Sequence, residues 1–192
     1  MKEPLSTVLE GKLIACLCEG TSEQAYMDIL LDHNFLNISR SQLLEREPLR
    51  ARNIKSFEEQ YLGKSFKQKI VILRILDSKN ENFSLKRLKK VNQNRVEAVI
   101  NILTIPEIEM LLICAEDKYG EYEKFRQRRK GTTAPDKPSA FCKEILRLHD
   151  CKSERFIKRY FSDPEKLVHA IKVYVHVKGN QSEYNLGDLL SR

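Results

Sequence analysis

Three short apolar runs set the pattern of this chain: Leu13 to Cys18, Lys69 to Leu76 and Val96 to Leu103. Each is long enough for a buried strand and too short to be a helix by itself. The second, KIVILRIL, is dense in β-branched and aliphatic residues, as an interior strand of a parallel sheet requires. Between these runs the apolar positions return at helical spacing. Tyr26, Ile29 and Leu30 share one face after a start at Thr21 or Ser22, and Asp32-His33-Asn34 makes an exit. Phe57, Tyr61 and Leu62 mark a crossover helix, and Leu85, Leu88 and Val91 another over Ser84 to Val91. Ser41 to Leu44 reads as a short strand, with a break before Pro48.

After residue 115 the pattern is helical. Pro138-Ser139, Ser153 and Asp163-Pro164 each open a helix, and the VYVHV tail of the last one reads as helix or strand. The predicted fold is α/β, with a mostly parallel central sheet flanked by helices over residues 1–115. A helical extension, 116–192, packs on it.

Carboxylates recur where the strands end. Glu19 follows the first run, Asp77 the second, and Glu107 and Glu109 the third; Glu23 lies in the first turn of the first helix. Ligand chemistry in open α/β sheets gathers at the carboxyl ends of strands. Gly20 suits a turn that needs positive φ or a close backbone approach. A divalent hard cation is held by one or two carboxylates plus substrate phosphate oxygens, and a rigid sheet positions such ligands well. Each acid also has a plainer role. Glu23 complements the helix dipole, Asp77 caps a turn, Glu107 is a first-turn acid after Pro106, and Glu109 is an exposed helical residue.

The segment CEGTSEQAY resembles the first motif of the TOPRIM domain, an apolar strand followed by Glu-Gly and an acid near the helix start. It is most similar to the branch found in RloB-type and overcoming-lysogenization-defect-type nucleases of bacterial phage defence. PEIEMLLI resembles the Pro-x-x-Glu segment that follows the third strand in RloB-like proteins. The resemblance covers about residues 11–115 and implies a TOPRIM-like sheet and a Mg²⁺- or Mn²⁺-dependent nuclease. Glu19, Asp77 and Glu109 would be its metal ligands, with Glu23 beside them as a catalytic acid. It also implies an antiviral effector working beside a separate ATPase subunit, with self-association into a homo-oligomer open. Lys79 stands where the second Asp of the family's DxD motif would be. A cation there is a candidate phosphate contact, with Asn80 or Glu81 as substitute ligands. It also favours the alternative, a catalytically inactive module that binds nucleic acid or a partner ATPase.

Composition adds the partner. The 192 residues carry a net charge of +7, and Lys118 to Arg159 alone holds 13 Lys or Arg against 6 Asp or Glu, the whole excess. Such concentration suits a polyanion, DNA or RNA such as tRNA, as well as a solvated helical face. Arg126, Arg128, Arg129 and Lys130, just before a Gly-Thr-Thr-Ala-Pro loop, are the candidate phosphate contacts or a solvated basic turn. Tyr119, Tyr122 and Phe125 read as the buried side of a helix or as a base-stacking stripe. Five cysteines without zinc spacing read as reduced thiols in a cytoplasmic protein. No apolar run approaches the 18 residues of a membrane span, and Walker A, GxGxxG and GxSxG motifs are absent from the sequence.

Overall fold

The structure, a computed structural model, describes residues 3–51, 53–77, 83–179 and 182–191. Four parallel strands form one sheet: β1 (Leu13–Cys18), β2 (Leu49–Arg50), β3 (Ile70–Leu76) and β4 (Val96–Leu103), in the order β2-β1-β3-β4. The helices are α1 (Leu5–Val8), α2 (Thr21–Asp32), α3 (Ile54–Tyr61), α4 (Lys90–Gln93), α5 (Met110–Ala115), α6 (Tyr119–Arg129), α7 (Pro138–Glu144), α8 (Glu154–Tyr160) and α9 (Pro164–Lys178). The α/β expectation therefore holds, with the three long strands within a residue of the predicted runs. No helix among the described residues is long and apolar enough to cross a membrane.

Side chains alternate across the sheet, so each strand feeds two cores. Ile14, Cys16 and Cys18 join Val71, Leu73 and Ile75 beneath α2, α5, α7, α8 and α9. Ala15, Leu17, Ile70 and Ile72 face Ile54 and Phe57 of α3 and Leu88. With both faces covered, β3 is buried along its whole length, Arg74 included. The Arg74 guanidinium stacks 4.2 Å over the Phe83 ring. Beyond β4, the Leu103 N–H donates to Tyr184 O at 2.9 Å, so the C-terminal segment covers part of that edge.

Residues 116–192 complete the larger core rather than standing apart from the sheet. Tyr122, Phe125, Phe141, Ile157, Phe161, Leu167, Ile171 and Tyr174 are buried in the same cluster as β1 and β3. The aromatic stripe of α6 is therefore packing, not a stacking platform: Tyr122 and Phe125 meet Phe141 edge-on at 5.6 and 5.3 Å between centroids.

Two local expectations are corrected and one open alternative is resolved. Ser41 to Leu44 is not a strand; the chain makes 3-10 turns at Arg40–Gln42 and Leu44–Arg46, with Glu45 and Arg46 at φ 58° and 61°. The extra strand is β2, just past Pro48. The helix predicted over Ser84 to Val91 is split into a 3-10 turn (Leu85–Arg87) and α4. The Glu58 carboxylate holds the break open, accepting from the Lys89 N–H at 2.8 Å and from Asn92 Nδ2 at 2.7 Å. VYVHV is helical, as part of α9. Its Val175 lies so close to the turn at Leu186–Leu189 that a Cβ on Gly187 would sit 2.5 Å from Val175 Cγ2.

Candidate active site at the carboxyl edge of the sheet

Because all four strands are parallel, their carboxyl ends share one edge. The chain leaves β1 toward β2 on one side and reaches β3 on the other, so the order reverses between β1 and β3, where such folds leave a crevice. A cleft of about 460 Å³ lies there. Glu19 enters from the end of β1, Asp77 from the end of β3, Arg50 from the end of β2, and Glu109 from the start of α5. Glu23 and Ser22 come from the first turn of α2, and Lys152 from the loop before α8. Four of the five acids singled out in the sequence thus line one cleft, Glu107 being the exception.

Local chemistry fixes each of them. Gly20, not Thr21 or Ser22, is the N-cap of α2, with extended backbone at φ −139°. The expected positive φ is absent, but the close approach is present. The Gly20 N–H donates to Glu23 Oε2 at 2.9 Å, and a Cβ on Gly20 would lie 3.0 Å from that oxygen. Glu23 is therefore buried and turned back onto the β1–α2 turn, satisfying an N-terminal donor of the helix. Ser22, released from capping, donates from Oγ to the Lys152 carbonyl at 3.1 Å. That bond brings a C-terminal loop to the sheet edge.

Glu109 is only 2% exposed, yet its Oε1 lies 3.8 Å from Lys152 Nζ. Burial pushes its carboxyl up to about 7; Glu107 and Glu23 add to the rise, and Lys152 opposes it. The Lys152 ammonium is raised as well. Burial alone would lower it, but Glu109, Glu107, Cys151 and Asp77 outweigh that. Glu107 is not the simple exposed acid of a first turn. It is buried, accepts from the Ser139 N–H at 2.9 Å near the start of α7, and lies 3.8 Å from both Lys137 Nζ and Lys152 Nζ.

The basic cluster stands away from this cleft. Arg129 donates to both Glu144 oxygens at 3.0 and 2.6 Å and to Pro135 O at 2.7 Å, and stacks 3.9 Å over Phe125. It is committed to joining α6 and α7, and its assignment as a phosphate contact is withdrawn. Arg126 pairs with Glu123 at 3.3 Å on the surface, while Arg128 and Lys130 are exposed. Lys79, Asn80 and Glu81 lie outside the described residues. All five cysteines are buried and free.

The donor set is hard oxygen, which suits Mg²⁺ or Mn²⁺. Among the described residues, however, no three Asp, Glu, His or Cys are grouped closely enough to hold a metal by themselves. Glu23 is held by the turn and Glu109 lies against Lys152, whereas Glu19 and Asp77 are carried directly by the ends of β1 and β3, rigid positions from which a carboxylate could meet an ion that substrate and water complete. Lys152, Arg50 and Ser22 were not found from the sequence. The only sign of Lys152 was the positive charge of its segment, since the loop HDCKSER carries no motif. Comparison with protein-family models, with curated proteins and with solved structures finds no match to this chain.

Proposed function

We propose that the chain is a metal-dependent nuclease that cuts phosphodiester bonds in DNA or RNA at the carboxyl edge of its sheet. One observation carries the reading: acids from two strand ends, β1 and β3, and from two helix starts, α2 and α5, line a single cleft, which also holds Arg50 and Lys152. Glu19 and Asp77 would hold the ion. Bound Mg²⁺ would polarise the phosphoryl group and stabilise the leaving oxygen. The chain's own groups do the rest. Arg50 and Lys152 neutralise phosphate oxygens at the mouth of the cleft. Glu109, with a carboxyl near 7, is suited to take or give a proton at neutral pH. Gly20 and Ser22 fix Glu23 and the Lys152 loop so that the acids and the cation keep their spacing.

By the same reading the protein is cytoplasmic, its buried thiols reduced, and it is the effector of an anti-phage system. A separate ATPase subunit accompanies it; co-purification from the native host in which no ATPase appears contradicts that part. A second reading has its own support. With no ready-made cluster of three ligands among the described residues and Lys152 beside Glu109, the fold also suits an inactive module that binds nucleic acid through the same cleft.

Labelled plasmid, single-stranded DNA and total tRNA, each incubated with the protein in Mg²⁺, Mn²⁺ or EDTA, separate the two. The nuclease reading expects metal-dependent loss of at least one substrate. Binding without cutting in either metal favours the module.

A further inference from the structure

A second cleft, of about 550 Å³, opens beside the first, between the end of α6 and the loop into α7. Arg126 and Lys130 reach it from α6 and its C-cap, Asp136 and Lys137 from the loop. Its inner wall includes Tyr122, whose side chain is fully buried. The Tyr122 hydroxyl has no hydrogen-bond partner among the described residues. Buried hydroxyls nearly always have one, so this atom points to a group that supplies it. Glu107 links the two clefts. Its carboxylate is 3.8 Å from Lys137 Nζ, which lines the second, and 3.8 Å from Lys152 Nζ, which lines the first.

The chemistry of the lining is selective. Glu123 also lines the cleft but is already paired with Arg126. In all the lining holds three cations, Arg126, Lys130 and Lys137, against two acids, Glu123 and Asp136; Lys137 also lies against Glu107, and Lys130 has no ion pair among the described residues. A polar cleft of net positive charge, with a buried and unpartnered hydroxyl in its wall, fits a phosphate-bearing sugar better than an apolar ligand.

We propose that the second cleft seats a nucleotide flanking the phosphodiester held in the acidic cleft. Lys130 and Lys137 neutralise its phosphate, and the Tyr122 hydroxyl hydrogen-bonds one of its oxygens. The Tyr122 ring, packed against Phe141, takes no part in stacking. This assignment rests on the nuclease reading, because the strand is what joins the two clefts.

Fluorescence anisotropy of a labelled single-stranded oligonucleotide, with the full chain in EDTA across a salt series, tests it. Lys130→Ala/Lys137→Ala should weaken binding on every sequence and lower the slope of log K against log salt by about two. Tyr122→Phe should weaken binding with the salt slope unchanged, since it removes a hydrogen bond and no charge. Wild-type affinity and slope in the double variant, with wild-type cutting in Mg²⁺, overturn the second cleft and leave the nuclease reading intact. A wild type that neither binds nor cuts any strand overturns both. A free nucleoside monophosphate shares the phosphate chemistry, and competition tells the sources apart. If the monophosphate binds the wild type but not the double variant while the oligonucleotide binds both alike, the strand assignment is overturned.

Discussion

Glu109 is a carboxylate almost out of water, kept in place by a lysine that reaches it from a loop 43 positions along the chain. Its carboxyl is raised from 4.5 to about 7, burial being the largest cause. Between those values the folded protein holds a proton that the unfolded chain releases, so stability falls as pH rises through the window and levels off above it. Glu109→Gln has no such group. Measured by urea unfolding, the variant should gain on the wild type between pH 5 and pH 8, by up to about 3 kcal/mol; parallel pH curves would contradict the burial of the charge. Gly20 gives a second residue-scale prediction. Ala is allowed by its backbone angles but crowds Glu23 Oε2, so Gly20→Ala should cost about 1 kcal/mol in thermal unfolding through the weakened cap. Glu19 and Asp77 were legible because an acid directly after an apolar run marks a strand end, and Glu109, six residues past its run, through the likeness of PEIEMLLI to a known segment. Lys152 was not, because nothing near it in sequence records the Ser22 bond that carries it to the cleft.

Among elements, the long strands were readable and the short ones were not. Burial on both faces makes β1, β3 and β4 visible as runs, whereas β2 is two residues beside a proline, held by pairing with Leu17 and Cys18. The break before α4 was hidden for a similar reason. Leu85, Leu88 and Val91 are three apart, a spacing that suits a helix, yet Val91 is 68% exposed and the Glu58 carboxylate fixes a turn between them. At the other end of the site, Glu107 joins α5's approach to the start of α7. Glu107→Ala should destabilise the protein by about 1–3 kcal/mol through loss of the Ser139 acceptor and of two lysine contacts. Glu107→Gln should recover part of that, since an amide oxygen still accepts from Ser139. Equal loss in both variants would mean that charge, not the cap, is what α7 needs there.

For the molecule as a whole, the division at residue 115 is one of composition more than of folding. The basic part supplies more than a third of the buried residues of the larger core and the lysine of the acidic cleft. A fragment ending at residue 115 should therefore lack a cooperative thermal transition while the full chain shows a single one by circular dichroism; cooperative unfolding of the fragment would restore the two-part description. The mostly parallel sheet was announced by the sequence, while its edge strand β2 and the way the C-terminal helices close the site depended on contacts between distant, individually unremarkable positions.

The central claim is that the acidic strand ends cut phosphodiesters. Its most direct measurement is the initial rate of Mg²⁺-dependent cleavage of the preferred strand by wild type, Glu19→Gln and Asp77→Asn, with circular dichroism confirming that each is folded. Both substitutions should lower the rate by about a hundredfold or more while binding in EDTA persists. Folded variants that cut at the wild-type rate would contradict it.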